Sequence, residues 1–120
     1  MSTHELEVLK QKLRQFAHER EWGRFHSPKN LAMALSAEVG ELLEHFQWLT
    51  EQQSAALAPA ELRAVELELA DVLLYLVSLA DQLNVDLIAA AHRKIELNAN
   101  KYPVERARGS ARKYDEYEDK

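Results

Sequence analysis

The chain has 120 residues, 47% of them hydrophobic, no cysteine and a formal net charge of −5. That length supports one compact domain with a sizeable core rather than two, and the missing cysteines exclude disulfides, thiolate metal sites and a cysteine nucleophile. The negative charge argues against a nucleic acid polymer as ligand, because such binding is driven by clustered Lys and Arg, while a small anion held through metal ions stays allowed.

Only three Gly and three Pro occur, against an abundance of Leu, Ala, Glu, Lys, Arg and Gln, so an all-α chain is expected. A first helix is predicted from Thr3 to about Glu21, where Leu6, Leu9, Leu13 and Phe16 recur at spacings of three and four. Trp22-Gly23-Arg24-Phe25-His26 breaks that pattern. Ser27 before Pro28 then marks a helix start, since the hydroxyl can cap and Pro is pre-organised for the first helical position; this second helix is expected to reach about Thr50. Glu51 to Ala58 shows no apolar face, and Pro59 opens a third helix to about Leu83. Asp86 caps a fourth helix that Tyr102-Pro103 ends, because Pro disfavours helix at the residue before it.

Residues 1–103 are therefore expected to form the domain, an antiparallel four-helix bundle. Residues 104–120 are expected to be a mobile tail in which Arg106, Arg108, Arg112 and Lys113 precede Asp115, Glu116, Glu118 and Asp119. Leu67 to Ala80 is apolar around nearly its whole circumference, more than one small bundle can cover, so self-association is expected. Glu68 and Asp71 interrupt that stretch, which is too short for a bilayer span, and the N-terminus lacks a secretory pattern; the expected setting is cytoplasmic, without a membrane.

Two helices carry matching acidic motifs, Glu38-Val39-Gly40-Glu41 and Glu68-Leu69-Ala70-Asp71. Residues three apart share a helix face, so each motif aims two carboxylates at one point. Such pairs are common on solvated faces. Here, at about 100° per residue, Glu38 falls within about 40° of Leu31, Leu42 and Leu49, and Glu68 within about 40° of Val72 and Leu79. Four carboxylates bordering apolar stripes repel one another until protons or a cation arrive, and all-oxygen ligation suits Mg²⁺, with Mn²⁺ as a substitute. Di-iron helix bundles use Glu-x-x-His, and no His lies three residues after a Glu in this chain.

The runs Trp22…Phe25-His26-Ser27-Pro28-Lys29-Asn30-Leu31, Glu38-Val39-Gly40-Glu41-Leu42…Phe46-Gln47-Trp48, Glu68-Leu69-Ala70-Asp71-Val72-Leu73-Leu74-Tyr75 and Asn98…Lys101-Tyr102-Pro103 resemble the MazG-like all-α nucleoside triphosphate pyrophosphatases, closest to the dCTP pyrophosphatase branch. The likeness runs from about Leu13 to Tyr114. Ala37 departs from it, since many MazG proteins carry a further Glu at this place. The resemblance implies that Glu38, Glu41, Glu68 and Asp71 are the catalytic metal ligands. It also implies hydrolysis of dCTP or modified dCTP to monophosphate and pyrophosphate, as nucleotide pool cleansing, by a homotetramer.

Trp48 and His45 follow the acids of the second helix by seven residues, and Tyr75 follows Glu68 by seven, which places them two turns along from the ligands. A core role is the ordinary reading of such aromatics. The resemblance instead implies nucleoside contact for Trp22, His26, Trp48 and Tyr75, with Phe25 beside them, and leaves His45 unassigned. Lys94, Asn98 and Lys101 share a face of the fourth helix and are expected to reach the substrate. Two other readings compete: a pyrophosphatase acting on several NTPs and dNTPs, and a non-catalytic helical metal-binding interaction protein.

Overall fold

The computed structural model describes residues 3–116. Among them the chain is wholly helical: α1 Thr3–Glu19, α2 Pro28–Glu44, α3 Glu51–Ser54, α4 Pro59–Gln82, α5 Leu87–Lys101 and α6 Val104–Ala107, with 3₁₀ turns at Gly23–Phe25 and Tyr114–Glu116 and no strand. The chain divides into two compact units, Met1–Val85 and Asp86–Lys120. No single described helix is long and apolar enough to cross a membrane.

In the first unit the principal packing is α2 on α4, with α1 also against α4. Leu31 of α2 and Val65, Val77 and Ala80 of α4 are buried. The cap expected at Ser27 forms: its Oγ accepts from the Asn30 N–H at 3.1 Å, and Pro28 occupies the first helical position. Asn30 also donates to the Phe25 carbonyl at 3.0 Å, which ties the preceding turn to the helix. α2 does not reach Thr50. It ends at Glu44, and Thr50 instead caps α3 through a reciprocal pair, Gln53 N–H to Thr50 Oγ1 at 3.1 Å and Thr50 N–H to Gln53 Oε1 at 2.9 Å. This capping box satisfies two donors at once and makes a fresh start preferable to continued helix.

Glu21 and Asn84 end α1 and α4 in the same way, both at φ 54°. At α1, Trp22 N–H bonds the Ala17 carbonyl at 2.9 Å and Glu21 N–H bonds that of His18 at 3.1 Å; at α4, Val85 and Asn84 do the same to Ala80 and Asp81. Each is a Schellman closure, which satisfies orphan carbonyls and turns the chain sharply. The turn swings Trp22 back onto Phe16, ring centroids 5.6 Å apart and edge to face, while Arg20 sits 3.6 Å over the Phe16 ring. Asn tolerates the left-handed conformation, whereas Glu adopts it only under strain.

Arg14 of α1 holds Asp81 of α4 by two hydrogen bonds, 2.8 Å from Nε and 2.6 Å from Nη2. The Asp81 side chain is 13% exposed. In the second unit, Asp86 caps α5 by accepting from Ala89 N–H at 3.0 Å, and α5 stops at Lys101 before Tyr102-Pro103, as expected. The segment beyond carries α6, and Tyr114 packs edge to face on Tyr102 at 6.1 Å and lies under Lys101 Nζ at 4.9 Å. The last four residues of the expected tail, Glu118 and Asp119 among them, lie outside the described residues.

Two stability predictions follow from these contacts. Glu21→Gly removes a left-handed strain of roughly 1 kcal/mol and is expected to raise the melting temperature by a few degrees; an unchanged or lower value contradicts the strain. For Asp81, the Arg14 hydrogen bonds hold the carboxyl below its ordinary value, so its contribution is full above the unfolded value of about 3.9 and is lost as pH falls through the folded one. Asp81→Asn is therefore expected to melt a few degrees below the parent at pH 7, with the gap closing in acid below about pH 3.

Candidate functional site

Glu38 and Glu41, one turn apart on α2, meet Glu68 of α4 because these two helices are the principal packed pair. One carboxylate oxygen from each lies within 4.8 Å of the other two. Glu38 and Glu68 are half-buried and Glu41 is exposed. Glu38 Oε2 and Glu68 Oε2 are both buried without any hydrogen-bond partner. A buried carboxylate oxygen left without a donor is costly, and two residues that carry one stand beside a third acid, an arrangement that a cation would stabilise. The oxygen-only donor set fits a hard divalent cation.

Electrostatics point the same way. The Glu38 carboxyl is pushed up from 4.5 to about 7, first by hydrogen bonding with the adjacent Glu41 carboxyl, then by burial, then by the charges of Glu41, Asp71 and Glu68. Asp71, the fourth expected ligand, stands apart from the three-acid group. It is exposed, one turn beyond Glu68, and acts on Glu38 through its charge.

Asp71 also lines a cavity of about 470 Å³. One wall is α1, with Leu9, Lys12, Leu13, Phe16 and Ala17; another is α4, with Asp71, Leu74, Tyr75 and Ser78; Trp22 and His26 complete it from the intervening turn. Trp22 and His26 stand edge to face with centroids 6.3 Å apart. A planar, partly apolar ligand fits such rings.

Of the residues expected to bind substrate, Trp22, His26 and Tyr75 come together here. Phe25 does not: it is exposed, with Arg24 over its ring at 4.9 Å. Trp48 does not line the cavity either. It is 87% exposed and lies beyond the end of α2, so the helical register that placed Trp48, His45 and Leu49 along the acidic face stops at Glu44. Lys94, Asn98 and Lys101 belong to α5 in the second unit, where all three are exposed. Sequence reasoning missed Leu9, Lys12, Leu13, Phe16, Leu74 and Ser78 as cavity residues. The apolar members of α1 read as an ordinary core stripe, and the only available signal was the aromatic cluster that follows them.

A family model described as MazG-like matches residues 33–117. The chain belongs to the MazG-like family. It is 46% identical over 113 residues to dCTP pyrophosphatase 1 of Homo sapiens, an alignment covering 92% of this chain and 66% of that protein. The Mus musculus protein of the same name is 49% identical over 111 residues, covering 91% and 65%. The chain thus spans just under two thirds of the length of these curated relatives. A crystal structure of a pyrophosphatase from Archaeoglobus fulgidus is similar at a TM-score of 0.79 and 44% identity, covering 83% of this chain and 94% of that one. The resemblance drawn from the acidic and aromatic motifs is therefore borne out at the level of family.

The crowded acids give a measurable linkage. Because the folded Glu38 carboxyl is raised to about 7, losing its proton opposes folding, and the metal-free protein should lose stability as pH climbs from its unfolded value through about 7. Glu38→Gln removes that charge. Without metal, thermal unfolding should find the variant more stable than the parent at pH 8, with little advantage at pH 4, and added divalent cation should stabilise the parent far more than the variant. A variant less stable than the metal-free parent at pH 8 contradicts the repulsion.

Proposed function

We propose that the protein hydrolyses deoxynucleoside triphosphates, dCTP and modified dCTP foremost, to monophosphate and pyrophosphate. Glu38, Glu41, Glu68 and Asp71 are its metal ligands, with Mg²⁺ as the natural ion and Mn²⁺ a substitute. The observation that carries this reading is the double position of Asp71, which adds its charge to the three-acid group and lines the aromatic cavity. A ligand spanning both features has a planar base at one end and several negative charges at the other. Support comes also from the relatives, which are named dCTP pyrophosphatase 1.

In this mechanism Trp22, His26 and Tyr75 receive the base and so fix how far the phosphates extend toward the carboxylates. Glu38, Glu41, Glu68 and Asp71 would hold the Mg²⁺, which when bound would supply positive charge to offset that of the triphosphate and make the α-phosphorus open to attack by water. A carboxylate of the set takes up the proton of that water. The bond from the α-phosphorus to its bridging oxygen breaks, and the β–γ unit departs as pyrophosphate. Lys94, Asn98 and Lys101 are proposed to reach the phosphates, and Phe25 and Trp48 to border the nucleoside. The physiological role is removal of unwanted nucleotides in the cytoplasm.

The active form is proposed to be a homotetramer of helical bundles. Leu67 and Leu69 of α4 are 69% and 53% exposed, and Met33 and Leu43 of α2 are also open. Association of copies removes such apolar area from water.

A panel of nucleoside triphosphates with Mg²⁺, with every product separated, tests the reading. Monophosphate and pyrophosphate are expected in equal amounts, with label from ¹⁸O-water in the monophosphate. Glu68→Gln is expected to abolish turnover while circular dichroism stays helical. Orthophosphate with a nucleoside diphosphate, or full activity in folded Glu68→Gln, refutes it.

A further inference from the structure

Lys12 is the one Lys or Arg among the residues lining the cavity, and neither the acidic cluster nor the stacking rings account for it. The neighbouring cations of α1 are engaged: Lys10 with Glu7 at 2.7 Å and Arg14 with Asp81 at 2.6 Å. At about 100° per residue both point roughly 160° away from Lys12. The Lys12 ammonium makes no hydrogen bond or ion pair with any described residue, and neither does the Ser78 hydroxyl across the cavity on α4.

Their depth follows from helix geometry. Ser78 lies seven residues beyond Asp71, two turns along the same face, or about 10 Å along the helix. The Arg14–Asp81 pair fixes α1 against α4 three residues further on. Lys12 lies about 3 Å along α1 from Arg14, and Ser78 about 4.5 Å along α4 from Asp81, so the two cavity-lining residues sit at about the level of that tether along their helices, with Ser78 two turns from Asp71. A nucleoside with its phosphates toward Asp71 would present there the edge of its base.

We propose that Lys12, assisted by Ser78, is a specificity-determining residue that reads the distal edge of the base. Its ammonium donates a hydrogen bond to a ring nitrogen or carbonyl oxygen, while the Ser78 hydroxyl takes the adjoining group. An ammonium can only donate, so the site takes a base with an acceptor at that edge, such as cytosine through N3. Ser78 can accept from an exocyclic amine beside it. The inference rests on the nucleotide reading of the cavity.

The test uses equilibrium binding to the whole protein, followed by the fluorescence of the cavity tryptophan, with two probes: deoxycytidine, which has no phosphate, and inorganic triphosphate with Mg²⁺, which has no base. Lys12→Met keeps the apolar stem and removes the donor, and Lys12→Arg restores one. A hydrogen bond from a charged donor makes a loss of about tenfold or more in deoxycytidine affinity the expected result for Lys12→Met, with substantial recovery in Lys12→Arg. Affinity for Mg²⁺-triphosphate should stay as in the parent. Equal loss for both probes would make Lys12 a phosphate ligand; no loss for either would make it a solvated surface lysine; no binding of deoxycytidine by the parent would empty the site of its ligand. Each overturns the proposal. If deoxycytidine binds in a Lys12-dependent way but no triphosphate is hydrolysed, the inference stands and the pyrophosphatase reading falls. If hydrolysis proceeds and Lys12→Met binds deoxycytidine as the parent does, only the inference falls.

Discussion

Like charge brought together by helix packing is the constraint on which the rest of the first unit depends. α2 and α4 bury Leu31, Val65 and Val77 between them, and that burial is what brings Glu38 and Glu41 against Glu68. Hydrophobic packing thus forces an electrostatic problem that neither helix has alone. Two of the carboxylate oxygens end up buried and without a donor, and the same crowding presses Glu38 to keep its proton. Buried polar groups without partners are rare in folded proteins because they weaken the fold, and where they persist a ligand is the usual reason.

The cavity is built by different means. Its α1 wall is held by the Arg14–Asp81 pair, and its aromatic end by the Schellman closure that throws Trp22 back over Phe16. Both devices are local in sequence or confined to one pair of side chains, so the wall can be adjusted without disturbing the acids between α2 and α4. Asp71 connects the two, lining the cavity and acting on Glu38 through its charge. That separation suits the proposed division of labour, with charge handled between α2 and α4 and the base in the cavity.

The exposed apolar side chains of α2 and α4 carry a further consequence. Leu67 and Leu69 flank Glu68, and Val39 follows Glu38, so large open hydrophobic residues lie directly beside the acidic positions. A surface that covered them would also exclude water from the neighbourhood of the carboxylates and strengthen every charge interaction there.

The sequence alone determined the helical class, the caps at Ser27 and Asp86, the helix start at Pro59, the two acidic motifs and the family, because each depends on residue type and short spacing. It did not reveal that α2 stops at Glu44, since the Thr50–Gln53 capping box competes with an apolar pattern that continues past it. Nor could it separate Asp71 from the other three acids, or Trp48 from Trp22 and Tyr75: equal spacing in the chain says nothing about which side chains converge. Leu9, Leu13 and Phe16 have the periodicity of a core stripe whether they meet a neighbour or a cavity. Only the packing of α1 and α4 decided that they line a cavity, because a cavity is a property of what two helices leave unfilled.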